Sequence, residues 1–152
     1  MLLKKKEIAN KKKKSLGIYV HIPFCRSKCE YCDFYSLGGA RNKELMDRYL
    51  GAVLAHIREA APSAIGYEVD TVYFGGGTPT SITAEQLKKL TDCVAEHFDL
   101  SEVWEYTIEA GRPDTIIREK LQVIRDAGVT RISINPQSTI ELSVMILPPF
   151  WP

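Results

Sequence analysis

The sequence predicts an α/β fold of about four β/α units with parallel strands. Short β-branched and aromatic runs alternate with longer segments of helical periodicity, in the order strand, helix, strand, helix, strand, helix, strand. Each predicted strand is also followed by a loop carrying cysteine, glycine or polar groups, where parallel α/β sheets keep their functional residues. Hydrophobic residues make up 45% and charged residues 26% of the 152-residue chain. That balance belongs to a globular domain, and a chain of this length buries roughly two thirds of its unfolded surface.

Residues 1–15 precede the first strand. Lys4, Lys5, Lys6, Lys11, Lys12, Lys13 and Lys14 crowd this leader, while the whole chain carries a net charge of only +1. The expectation is a solvated, disordered leader, with a nucleic-acid-binding tail as the sharper alternative. No apolar stretch follows the lysines, as a targeting peptide would require. No run approaches the roughly 18 apolar residues of a membrane span.

The first strand is expected over 16–22, where β-branched and aromatic residues end at Pro23. A cysteine-bearing loop follows, closing at Gly38-Gly39. Leu45, Met46, Tyr49, Leu50, Val53, Leu54 and Ile57 recur at helical spacing and predict a helix over 42–60, punctuated by Pro62 and Gly66. A second strand is expected over 69–74, then a glycine turn. Thr83-Ala84-Glu85-Gln86 has capping-box form and opens a helix running to about residue 98. A third strand is expected over 104–108 and a third helix over 115–127, stopped by Gly128. The fourth strand is expected over 129–134. The core therefore spans 16–138. The apolar, proline-rich segment 139–152 offers no helix to cover the fourth strand and reads as a truncation or frameshift.

Three of the four cysteines fall within eight residues, as Cys25-x-x-x-Cys29-x-x-Cys32. Clustered cysteines with no secretion signal point to metal binding in a reducing, cytoplasmic setting rather than to disulfides. Structural zinc prefers four tetrahedral ligands, and the fourth would have to be His21, Asp33 or the remote Cys93. Iron–sulfur clusters take one thiolate per iron, so three cysteines on four irons leave one iron open. The iron–sulfur reading is favoured; zinc and a grouping of structural cysteines are the alternatives. Cys93 lies at helical spacing from Leu90 and reads as a buried apolar residue.

Cys25-x-x-x-Cys29-x-Tyr31-Cys32 resembles the signature of the radical SAM superfamily. The flanking Tyr19-Val20-His21-Ile22-Pro23-Phe24 and Asp33-Phe34 resemble its oxygen-independent coproporphyrinogen III oxidase group, which includes heme-chaperone relatives. The resemblance covers about residues 16–138. It implies the N-terminal part of a (β/α)6 open barrel, a 4Fe-4S cluster on Cys25, Cys29 and Cys32, and S-adenosylmethionine bound at the open iron. One electron would cleave the sulfonium to methionine and a 5′-deoxyadenosyl radical. A reducing partner such as flavodoxin or ferredoxin is implied as the donor.

The resemblance also implies cofactor contacts. Gly75-Gly76-Gly77-Thr78-Pro79 is similar to the family's glycine motif for the methionine end of the cofactor, which assigns Gly76, Gly77 and Thr78. Glu109 and Gln137 match family residues after the third and fourth strands. Tyr19 matches a tyrosine set against the cofactor, and Tyr31 is expected to shield the cluster or touch a nucleotide. His21 is a cluster neighbour, a substrate-side proton donor or a core histidine. Gly111-Arg112-Pro113-Asp114 departs from the Asn-Pro common after this glutamate, and Asn135-Pro136-Gln137 departs from a commoner Gly-Val-Gln. Both variants look like the coproporphyrinogen dehydrogenase subgroup. The expected parent activity is oxidative decarboxylation of coproporphyrinogen III propionates in heme biosynthesis. The rivals are a heme chaperone and a non-catalytic metal-binding fragment. No membrane partner is implied, and the near-neutral charge gives nucleic acid little support.

Overall fold

The computed structural model of the chain describes residues 13–38 and 42–135. Most of the basic leader, the 139–152 tail and Gln137 lie outside the described residues. Strand β1 runs over Lys14–Ile22 and leads through Pro23 into a short strand, β2, at Phe24–Cys25. Strand β3 (Leu37–Gly38) pairs with β2 and closes the cysteine loop. Helix α1 (Lys43–Ala60) starts at Asn42, whose side chain accepts from the Leu45 amide. Strand β4 (Tyr67–Gly76), helix α2 (Ala84–His97), strand β5 (Glu105–Glu109), helix α3 (Arg118–Asp126) and strand β6 (Arg131–Ser133) complete the order.

The sheet order is β1-β4-β5-β6, with every pair parallel and a helix in each connection. The α/β, parallel-strand expectation is thus what the chain forms. The capping box at Thr83 is present in both directions, and Gly128 stops α3 with φ 76°. Several boundaries differ from expectation: β4 is longer than the expected 69–74, β6 is shorter than the expected 129–134, and β5 is shifted by one residue from 104–108. Strand β1 takes in Lys14 and Ser15, which pair with Tyr67 and Glu68, and the Ser15 hydroxyl donates to Asp70. Helix α3 begins only at Arg118, because Pro113–Thr115 first form a 3-10 turn. The β2–β3 pair, two residues per strand, was too short to leave a periodic signal.

The strands are two-faced, and that positions the site. Val20, Ile22, Val72, Phe74, Tyr106 and Ile108 are buried, and they share a core with Leu50 and Ile57 of α1, Leu87, Leu90 and Val94 of α2, and Ile124 of α3. Cys93 is 2% exposed within that core, so it packs as an apolar residue. Since strand side chains alternate, Tyr19, His21, Tyr73, Thr107 and Glu109 stand on the opposite face. A doubly wound sheet buries both faces under helices and reads apolar throughout. Here one face is apolar and the other polar, the pattern of an open barrel whose inner wall carries the chemistry.

Candidate functional site

The cysteine loop is held at both ends. Phe24 is fully buried and packs edge-on against Tyr49 at 5.3 Å, while the Tyr49 hydroxyl donates to the His21 carbonyl at 2.8 Å. The Leu37 amide donates to the Pro23 carbonyl at 2.7 Å, so the loop returns to its origin. Within it, the Cys32 amide donates to the Cys29 carbonyl at 3.1 Å, a tight turn that brings these two cysteines together. All three are free thiols; Cys25 is buried, and Cys29 and Cys32 are partly exposed.

The glycine run after β4 is stitched to this loop. The Gly77 amide donates to the Ile22 carbonyl at 2.8 Å and the Thr78 amide to the Phe24 carbonyl at 2.9 Å. The Thr78 hydroxyl then sits 3.5 Å from the Cys25 sulfur. A Cβ on Gly77 would lie 2.8 Å from the Pro23 carbonyl, and one on Gly76, whose φ is 110°, would lie 2.6 Å from the His21 ring. An added side chain would therefore collide with the cysteine loop, so glycine at these positions lets the turn seat that loop.

The loop after β5 supplies the third wall. Glu109 accepts a 2.5 Å hydrogen bond from the Tyr73 hydroxyl. That bond, burial and the carboxylate's charge push the Tyr73 phenol up to about 12. Arg112 donates through Nη2 to the Cys29 sulfur at 2.7 Å. Arg26, in the cysteine loop, pairs with Asp114 at 2.6 Å. A hydrogen bond from Tyr31 and the charge and N–H of Arg112 hold the Cys29 thiol below its ordinary range, against the opposing effect of burial. The two loops after β4 and β5 are joined in turn. The Thr80 and Thr115 hydroxyls lie 2.6 Å apart, and the buried Lys120 ammonium donates to the carbonyls of Thr80 at 2.6 Å and Thr115 at 3.2 Å.

One cleft of about 550 Å³ lies where these loops meet. Of the sequence-predicted residues, Cys25, Cys29, Cys32, Tyr31, Gly76, Gly77, Thr78 and Glu109 all line it. Tyr19 stands beside the cleft, stacked on Tyr73 at 6.1 Å, with its hydroxyl 3.0 Å from His21 Nδ1. The other His21 nitrogen lies 3.0 Å from the Tyr35 carbonyl. The sequence reading missed Tyr73, Arg112 and Lys120 as parts of the site. Tyr73 had a usable signal, its strand position on the same face as Tyr19 and Glu109. The long reach of Arg112 to Cys29 had none.

Among the described residues no three His, Cys, Asp or Glu side chains converge on a point that would hold one ion. The three thiols line the same cleft. A zinc ion would draw its sulfurs to roughly 4 Å from one another, given Zn–S bonds of about 2.3 Å. A polynuclear cluster takes one thiolate per iron, and three free thiols on one cleft with a guanidinium against one sulfur suit its ligand set and its charge. The residues present fit a cluster.

The radical SAM superfamily matches this chain over residues 19–144. The oxygen-independent coproporphyrinogen-III oxidase-like protein HemZ of Bacillus subtilis is 42% identical over 83% of this chain and 26% of its own length. The heme chaperone HemW of Mycobacterium tuberculosis is 41% identical over 80% of this chain and 31% of its own. Among solved structures, coproporphyrinogen III oxidase (HemN) from Escherichia coli, described as a radical SAM enzyme, superposes with a TM-score of 0.71 at 32% identity. That match covers 80% of this chain and 27% of the solved one. The chain thus spans about a quarter to a third of the length of these relatives.

Proposed function

We propose that this chain, which belongs to the radical SAM superfamily, carries a 4Fe-4S cluster on Cys25, Cys29 and Cys32 and binds S-adenosylmethionine in the adjoining cleft. The observation that carries the reading is the meeting of three free thiols, the Gly76–Thr78 turn and Glu109 in one cleft at the carboxyl ends of parallel strands. When bound, the pair supplies one-electron reductive cleavage of the sulfonium for hydrogen abstraction.

The chain's own residues divide the remaining work. The β2–β3 pair and the Gly77 and Thr78 amides fix the cysteine loop before any ligand arrives. Glu109, held by Tyr73, offers its second carboxylate oxygen to the cofactor's amine or ribose hydroxyls. Tyr31, hydrogen-bonded to the Cys29 thiol, lines the cleft. Tyr19 and Gln137 complete the cofactor contacts. Among the described residues no helix is long and apolar enough to cross a membrane. A reducing cytoplasm, with flavodoxin or ferredoxin as electron donor, is the setting we assign.

The substrate reading follows the relatives. HemZ-like and HemN-like similarity favours a porphyrinogen, and the parent activity is oxidative decarboxylation of coproporphyrinogen III. The 41% identity to a protein named as a heme chaperone supports a second reading, heme binding on the same module. Heme titration and anaerobic product analysis on the same preparation separate the two.

The test of the shared premise is spectroscopic. S-adenosylmethionine added to the reduced, reconstituted protein is expected to change its electron paramagnetic resonance spectrum. A spectrum unaltered at saturating cofactor would mean a structural cluster with no open iron.

A further inference from the structure

We infer that Arg112 is a positioning residue that sets the reduction potential of the cluster through the sulfur of Cys29. The inference rests on the cluster reading above and goes beyond it, to the ease with which the group accepts its electron.

Arg112 lies 83 residues from Cys29 in sequence, yet its Nη2 is 2.7 Å from the Cys29 sulfur. Contacts that do not involve the sulfur hold it there. The Arg112 carbonyl accepts from the Thr115 amide at 3.0 Å and the Thr115 hydroxyl at 2.7 Å. Asp114, two residues on, grips Arg26 of the cysteine loop at 2.6 Å. The guanidinium is therefore aimed by its own loop, and its planar fork loses little freedom in making the contact.

The neighbouring thiol is treated differently. Among the described residues the hydrogen-bond partner of the Cys25 sulfur is the neutral hydroxyl of Thr78, at 3.5 Å. A cationic N–H on a ligating sulfur withdraws electron density from it, and the nearby positive charge favours the state with one more electron. Net charge and hydrogen bonds to the sulfurs are among the terms that set cluster potentials. Both act in the same direction here and raise the potential. A higher potential makes the cluster easier for a biological donor to reduce.

The test uses the full chain, reconstituted anaerobically, with iron content measured before a potentiometric titration followed by absorbance. Arg112→Gln is expected to keep its iron while its equilibrium constant for reduction falls about tenfold, a midpoint about 59 mV more negative for one electron. Arg112→Lys, which keeps the charge but loses the fork, is expected to fall between the two. Equal midpoints in parent and Arg112→Gln, with equal iron, would overturn the inference while leaving the cluster reading intact. Loss of iron from both variants would also overturn it, since Arg112 would then serve only to hold the ligand loop. Absence of iron from the parent would instead sink the cluster reading.

Discussion

Tyr73 and Glu109 stand on adjacent strands, and the phenol donates to the carboxylate at 2.5 Å. In the register of β4 and β5, Tyr73 faces Thr107, so Glu109 lies two residues further along on the same face of the sheet. The bond thus fixes one carboxylate oxygen toward the sheet and leaves the other for the cleft. Tyr73→Phe keeps the packing surface and removes only this donor. It is expected to weaken S-adenosylmethionine binding by about fivefold to tenfold, about 1–1.4 kcal/mol, a part of the roughly 1.5–3 kcal/mol that a hydrogen bond to a charged group is worth. Isothermal titration of parent and variant measures it; equal affinities would remove Glu109 orientation from the account.

The same bond carries a pH signature. The Tyr73 phenol is pushed up to about 12, above its ordinary value of 10.0. A folded-state value above the unfolded one means that the folded protein holds the proton longer. Its contribution is fully present below about pH 10 and is lost as pH rises toward 12. Tyr19 and Tyr106 are raised too, by burial above all, so the parent loses stability through this range from several phenols. Denaturant titrations from pH 9 upward are expected to show a shallower loss in Tyr73→Phe than in the parent. Parallel curves would contradict the assignment.

Two glycines make opposite predictions. A Cβ on Gly76 would meet the His21 ring at 2.6 Å, from a backbone with φ 110°. Gly76→Ala is expected to cost about 2 kcal/mol or more and to loosen the cysteine loop, lowering iron content with it. Gly51 lies inside α1 with nothing within 4 Å of an added Cβ. Gly51→Ala is expected to stabilise by about 0.5–1 kcal/mol with iron content unchanged. Thermal melts of both variants test this, and a neutral Gly76→Ala would show that the turn tolerates a side chain.

Lys120 is buried with its ammonium against the Thr80 and Thr115 carbonyls, and burial lowers its proton affinity. Lys120→Met keeps the stem but leaves two carbonyls without their shared donor. The expected cost is about 2 kcal/mol, with weaker cofactor binding because the β4 and β5 loops lose their tie. Denaturant midpoints and cofactor affinity measured together distinguish this from a purely global effect. Unchanged values for both would mean that the tie carries no weight.

The layers of the fold were legible because they rest on local periodicity. The β-branched and aromatic run in 69–74 and the 3.6-residue repeat from Leu45 to Ile57 each announce an element without reference to the rest of the chain. The capping box at Thr83 was legible for the same reason. The eight predicted residues that line the cleft were legible through motif resemblance and their place after strands. What sequence could not deliver was contact across distance. Arg112 read as a neighbour of Glu109, three residues away, yet the 3-10 turn at Pro113–Thr115 swings it to Cys29. The close approach of Gly76 to His21 and of Gly77 to Pro23 likewise left no local signal, since the partners lie more than 50 residues away in sequence. Nothing in the local sequence marks Lys120 as the residue whose amine reaches the Thr80 carbonyl from α3.

The central claim is that Cys25, Cys29 and Cys32 together hold a polynuclear iron group. Iron and acid-labile sulfide per chain, measured after anaerobic reconstitution of the parent, Cys29→Ala and Cys93→Ala, test it most directly. The account predicts about four irons and four sulfides in the parent. It predicts the same in Cys93→Ala, whose thiol is buried in the core away from the cleft, and loss of the intact cluster in Cys29→Ala. Full iron and sulfide in Cys29→Ala, or a parent that takes up one zinc and no iron, would contradict it.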